Sequence, residues 1–125
     1  MVYLALEDIL AIRDQVSAAY AEQFEVMAFN GLMSALAAPQ RSAFGVEVFP
    51  TLPEKAGALV YSLIQHHPFW DGNKRIATAA LKEFLERNGA RLTADEVEFR
   101  QFTREIALGR VRDGAVSVWL GEQIQ

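Results

Sequence analysis

The sequence predicts an all-α fold: a compact bundle of about six helices spanning residues 1–125 as one domain, with a short β segment before the central helix pair. Three observations predict it. Apolar residues recur at spacings of three and four along most of the chain, which is helical period. Helix start and stop signals bracket those stretches. The composition of the 125 residues, 51% hydrophobic and 22% charged, supplies one sizeable core and not two.

Taken in order, Leu6, Ile9, Leu10, Val16, Tyr20 and Phe24 fit one first helix with a few phase slips. A short second helix is expected from Asn30 to Ala38, with Asn30 as N-cap and Pro39 following its end. Ser42 to Pro50 breaks the pattern: Phe44, Val46 and Val48 alternate with Gly45 and Glu47, which is strand period. A lone strand has unpaired backbone on both edges, so it forms a small hairpin or waits for a partner.

Thr51-Leu52-Pro53-Glu54 reads as a capping box with proline in the first turn. The helix it opens carries an apolar stripe of Ala56, Leu59, Val60, Leu63 and Ile64, and ends near His66 because Pro68 disfavours helical geometry before it. The next helix runs from about Gly72 to Asn88 and buries Ile76, Ala77, Ala80, Leu81, Phe84 and Leu85, with Asn88-Gly89 as its stop. Thr93-Ala94-Asp95-Glu96 reads as a second capping box, with Leu92 and Val97 as a hydrophobic staple, for a helix reaching Leu108. A last helix, Asp113 to Gln123, buries Val116, Trp119 and Leu120.

Composition excludes several functions. A net charge of -4 disfavours a broad grip on a nucleic acid backbone, so no direct nucleic-acid binding is expected, though a local basic pocket is compatible with it. With no cysteine, disulfides and thiolate metal sites are ruled out. Glu7 and Asp8 interrupt the apolar N-terminus, unlike a secretory signal, and no stretch is apolar enough to span a bilayer. The expectation is a cytoplasmic protein without a membrane partner.

The chemistry is concentrated in His67-Pro68-Phe69-Trp70-Asp71-Gly72-Asn73-Lys74-Arg75, which joins two predicted helices. Asp71 is an N-cap candidate. Lys74 and Arg75 stand where a helix exposes free N–H groups and partial positive charge, so acids are favoured there and two cations oppose the dipole. A bound anion would explain them. Free N–H groups from Gly72 onward, a lysine and an arginine together make a phosphate site, and Gly72 admits close approach to the backbone. His67 carries an imidazole, the side chain best suited to general-base work, and is placed to take a proton from an attacking hydroxyl. Asp71 suits Mg²⁺, which prefers oxygen ligands and bridges phosphates.

His-Pro-Phe-x-Asp-Gly-Asn-Lys-Arg resembles the signature of the Fic/Doc, or death-on-curing, family. The likeness extends from Pro50-Thr51 through Ile64, over Ile76 to Gly89, and to Trp119-Leu120; it is weakest from Tyr20 to Asn30, where many relatives have a glycine-rich turn. The resemblance implies His67 as general base, Phe69 as loop anchor, Asp71 as Mg²⁺ ligand, an anion cradle of Gly72, Asn73 and Lys74, and Arg75 on a nucleotide phosphate. It implies transfer of AMP or a phosphoryl group from ATP to a protein hydroxyl.

Two positions choose between them. AMP-transferring members usually have glycine in place of Lys74 and a second arginine in place of Thr78. Both departures resemble the Doc-type phosphotransferring toxins, although those carry alanine in place of Gly72. Phosphoryl transfer with Lys74 assisting is therefore expected, with AMP transfer as the alternative and a catalytically silent binding module as the reading from another class. Doc-type members act on elongation factor Tu, which the resemblance makes the first candidate target. The β segment, Phe44, Gly45, Val46, Glu47 and Val48, resembles the family's target-docking flap. The inhibitory Ser/Thr-x-x-x-Glu-Gly/Asn pattern of some members is absent from the sequence, so a separate antitoxin is the expected partner.

Without the motif, each residue has a plainer reading. His67 continues the apolar stripe after Ile64 and would be a partly buried core histidine, Lys74 and Arg75 would be solvated charges, and Phe44, Val46, Val48 and Phe49 would cover the core. Phe69 and Trp70 are packing residues, and Lys82, Arg87 and Arg91 surface charges. His66 has no motif role, and no further histidine or cysteine completes a zinc site.

Overall fold

A computed structural model describes residues 1–125, the side chain of Asp113 excepted. It contains α1 (Leu6–Ser17), α2 (Phe29–Ala37), a 3-10 turn (Ala38–Gln40), β1 (Ser42–Ala43), β2 (Val46–Glu47), α3 (Leu52–His66), α4 (Asn73–Arg87), α5 (Glu96–Ala107) and α6 (Asp113–Gln123). The predicted helical class holds, with a two-stranded antiparallel hairpin as the β element.

The hub is α3. It packs against α2, the 3-10 turn, α4, α5 and α6, and residues 55–60 are buried in an unbroken run. An ordinary amphipathic helix buries one stripe, so this burial reflects neighbours on several sides. Its start is as expected: Thr51 Oγ1 accepts from Glu54 N at 3.3 Å, and Pro53 sits in the first turn. The stripe residues of α3 and α4 named from sequence are all buried, as are Val116 and Leu120, while Trp119 is partly buried.

Several local expectations are corrected. α1 ends at Ser17, so Tyr20 and Phe24 are not on it. α2 starts one residue early, with Ala28 as N-cap instead of Asn30 and no side-chain cap. Pro39 lies inside the 3-10 turn, whose second position suits its fixed φ. The cap of α5 is Asp95, whose Oδ1 accepts from Val97 N (2.7 Å) and Glu98 N (3.3 Å). Thr93 is occupied elsewhere, donating its hydroxyl to Gln123 O at 2.9 Å, and Leu92 bridges to Ile124. Val97 is exposed, so the expected staple does not form. The N-cap of α4 is Gly72 and not Asp71.

The Ser42–Pro50 segment resolves into a hairpin, with Ser42 facing Glu47 and Ala43 facing Val46. Its turn residues, Phe44 (φ 53°) and Gly45 (φ 77°), are both left-handed, as a two-residue hairpin turn requires. Phe44, Val46 and Val48 are exposed, so they do not cover the core. Among the described residues, no helix is long and apolar enough to cross a membrane.

Candidate functional site

The site is a loop between α3 and α4 together with the first turn of α4. Pro68 stops α3, and the chain turns at His67, which adopts a left-handed conformation (φ 46°, ψ 55°) as C-cap. Histidine tolerates this region better than most non-glycine residues, at some cost in strain. The ring therefore leaves the apolar stripe, and His67 is exposed rather than a core residue. Two buried side chains hold the turn. Phe69, 1% exposed, anchors it in the core. Asn73, 7% exposed, reaches back from α4: its Oδ1 accepts from Phe69 N at 3.0 Å and its Nδ2 donates to Phe69 O at 2.9 Å.

That pair of hydrogen bonds to the backbone N–H and carbonyl of one residue fixes which end of the Asn73 amide is which. The second hydrogen on Nδ2 is then directed at His67 Nδ1, 3.2 Å away. A neutral ring accepting there carries its own proton on Nε2. Asn73, assigned from sequence to the anion cradle, is buried beneath the loop and orients the imidazole.

Gly72 caps α4 at φ 74°, ψ 14°. A Cβ there would lie 2.3 Å from Phe24 Cε2, so glycine is required both by conformation and by the ring against it. Phe24 tilts against Tyr20 (centroids 5.0 Å apart), and Arg75 lies 5.4 Å over the Tyr20 ring. The segment between α1 and α2 thus forms one wall of the site. Met27 N and Ala28 N donate to Pro68 O (2.8 and 3.1 Å), and Trp70 N donates to Glu25 O (2.7 Å). Arg13 Nη1 donates to Phe24 O at 3.1 Å, and Asp14 accepts from Arg13 and Gln23, both at 2.7 Å. The Arg13 hydrogen bond, with Gln23 adding to it, holds the Asp14 carboxyl below its usual range.

This wall is not legible in the sequence. Tyr20 and Phe24 had the spacing of a continued first helix, and the only signal against it was the weak family likeness of that stretch.

The structure gathers His67, Asp71, Gly72, Asn73, Lys74 and Arg75 at one place. Lys74 and Arg75 are exposed and join no ion pair among the described residues. The N–H groups of the first turn of α4 have no carbonyl one turn earlier to bind. Trp70 is exposed, which corrects its reading as packing. His66 is exposed and lies against Gly31.

Asp71 Oδ1 accepts from Gly72 N at 2.7 Å. Among the described residues, no three His, Cys, Asp or Glu gather as a metal cage. One oriented carboxylate fits Mg²⁺ as that ion binds when it arrives with phosphates, through one or two carboxylates.

Glu47 pairs with Lys55 Nζ at 2.9 Å, which ties the hairpin to the opposite end of α3, roughly 18 Å of helix rise from His67. Among the described residues, no hydrogen bond or ion pair joins the hairpin to His67 or to the first turn of α4.

The model of the Fic/DOC family matches residues 3–85. Toxin Doc of Mycolicibacterium smegmatis is 42% identical over 93 residues, which cover 74% of this chain and 69% of that protein.

Proposed function

This chain belongs to the Fic/DOC family, and on that premise we propose that it is a Doc-like toxin that transfers a phosphoryl group from ATP to a hydroxyl of a target protein. The observation that carries the reading is the arrangement around Asn73: an exposed imidazole 3.2 Å from its amide, beside a helix start with two cations that join no ion pair among the described residues. A base, a phosphate cradle and room for an acceptor hydroxyl are what such a transfer needs.

In the proposed step the acceptor oxygen bonds to the γ-phosphorus, the bond from that phosphorus to ADP breaks, and ADP leaves with its electron pair. The hydroxyl proton passes to His67. The lone pair for it is on Nδ1, so the hydroxyl replaces the contact from Asn73. Arg75, fixed over Tyr20, and Lys74 balance charge on the phosphates. Asp71 would hold Mg²⁺, which neutralises phosphate charge when bound. Most of the rate comes from positioning and fixed charge, because phosphoryl transfer asks little covalent chemistry of the protein.

Transfer of AMP is the second reading, and Lys74 weighs against it: a lysine at that position fills the cradle where AMP-transferring members usually have glycine. The fold then acts in a toxin–antitoxin setting, with a separate antitoxin as partner, elongation factor Tu as first candidate target and the cytoplasm as its place.

The test incubates the protein with ATP, Mg²⁺ and elongation factor Tu and weighs the product. A phosphate mass increment is expected, and His67→Ala should abolish it. An AMP increment reverses the choice of transferred group. Labelling by His67→Ala at the wild-type rate removes His67 as base, and no labelling or growth inhibition at all favours a silent module.

A further inference from the structure

A cavity of about 570 Å³ opens beside Lys74, lined by Val97, Arg100, Gln101, Arg104, Glu105 and Arg110. Its size is that of a small-molecule site and not of a broad protein interface. Its chemistry is lopsided. Among the described residues, Lys74 and three arginines face one acid, Glu105, which is engaged by Arg110 at 3.4 Å. Arg100, Arg104 and Lys74 join no ion pair among the described residues, in a chain whose net charge is -4.

Arg100 and Arg104 lie one turn apart on α5, where like charges repel at a cost of about 0.2–0.5 kcal/mol. Arg104 alone has a structural explanation, since a cation in the last turn complements the helix dipole. Arg100 sits mid-helix, one turn after Glu96, with which it forms no ion pair among the described residues. Val97 is the one aliphatic liner, so the cavity offers little to an amphipathic helix or a nucleobase.

We infer that the groove between the start of α4 and the face of α5 is an anion subsite in which Arg100 and Arg104, continuing from Lys74, bind the polyphosphate arm of the nucleotide. Lys74 makes the connection, because it belongs both to the first turn of α4 and to the groove wall. Guanidinium groups suit phosphate oxygens, which they grip in pairs. The assignment to a nucleotide rests on the transferase reading above; the anion site itself does not.

The test is calorimetric binding of inorganic tripolyphosphate and of ATP, without turnover, to the full chain and to Arg100→Gln/Arg104→Gln. Both residues are exposed and glutamine keeps helix propensity, so the fold should be unchanged by circular dichroism. Both ligands should bind the variant about 10- to 100-fold more weakly, with a shallower salt dependence. Lys82→Gln, another exposed cation, should bind as wild type does.

Equal binding by the double variant, no measurable binding by the wild type, or an equal loss in Lys82→Gln overturns the subsite. So does a glutamate-rich peptide whose binding requires Arg100 and Arg104 while tripolyphosphate binding does not, which would assign the groove to an acidic protein segment. The two readings separate cleanly. Wild type that binds tripolyphosphate through these arginines but labels no protein defeats the transfer and keeps the subsite. Labelling with unaltered binding by the double variant does the reverse.

Discussion

At Gly72, two independent constraints meet: a left-handed backbone and a phenylalanine ring where a Cβ would stand. The opposing ring belongs to Phe24. Gly72→Ala should lose about 1–3 kcal/mol in chemical denaturation. Phe24→Ala, on its own costing about 3–5 kcal/mol, should remove the steric part, so the double variant is less destabilised than the sum; strict additivity would show that the ring yields freely. Asn73 is the second test. Asn73→Ala strands the Phe69 N–H and carbonyl, each worth about 1–3 kcal/mol when left unsatisfied. In the wild type, nitrogen NMR should find the neutral His67 proton on Nε2, and in Asn73→Ala that bias should fall away; a wild-type ring protonated at Nδ1 would contradict the hydrogen-bond assignment. The contiguous part of this site was legible because motif, cap and cations lie within nine successive residues. Phe24 and Tyr20 were not, because only the return of the chain past Pro68 brings them there, and no local period encodes that.

The hairpin shows how one element is fixed by a charge the sequence does not flag. Lys55 is 2% exposed, yet it lies in the first turns of a helix whose apolar stripe was read without it. Its ammonium donates to Glu47 (2.9 Å) and to Pro39 O (3.2 Å) and lies 5.7 Å over the Tyr3 ring. Burial works to lower its pKa, but Glu47 and then Tyr3 outweigh that, and the net shift is upward. A raised pKa in the folded state contributes stability that is complete below the unfolded lysine value, about 10.4, and is lost as pH rises through the folded value. Lys55→Met should abolish this alkaline loss and destabilise the chain by about 1–3 kcal/mol through the unpaired Pro39 carbonyl. Exchange of the Val48 amide, bonded to Arg41 O at 2.9 Å, should quicken. Unchanged exchange would mean that the hairpin holds without its lysine. Strand period was visible in the alternation of Phe44, Val46 and Val48, but the alternation could not say that both faces would be exposed, since that depends on which neighbours reach the hairpin.

Across the whole molecule, the family match ends at residue 85, whereas the packing does not. α6 lies against α3 closely enough that a Cβ on Gly57 would meet the Ser117 backbone at 3.2 Å, and Val116 and Leu120 are fully buried. The chain end returns to the turn after α4: Arg91 and Gln125 exchange backbone hydrogen bonds at 2.9 and 3.0 Å, and Thr93 N donates to Gln123 O at 2.6 Å. Trp119 stacks on Phe102 at 4.0 Å, which links α6 to α5. These contacts lead us to propose that residues 1–125 unfold as one cooperative unit, with α5 and α6 supporting α3 and so the loop that presents His67. Fluorescence of Trp119 in a Trp70→Phe background should then change at the same denaturant concentration as helical circular dichroism, as two-state unfolding requires. A chain ending at Arg110 would uncover the α3 face that α6 shields, and should show no cooperative thermal transition. Gly57→Ala, which cannot be absorbed by a flexible side chain because backbone opposes it, should lower the midpoint by the equivalent of about 1–3 kcal/mol. If Trp119 reports an earlier transition than the helical signal, α5 and α6 form a separable layer, and the groove between α4 and α5 would open before the loop that presents His67 is lost.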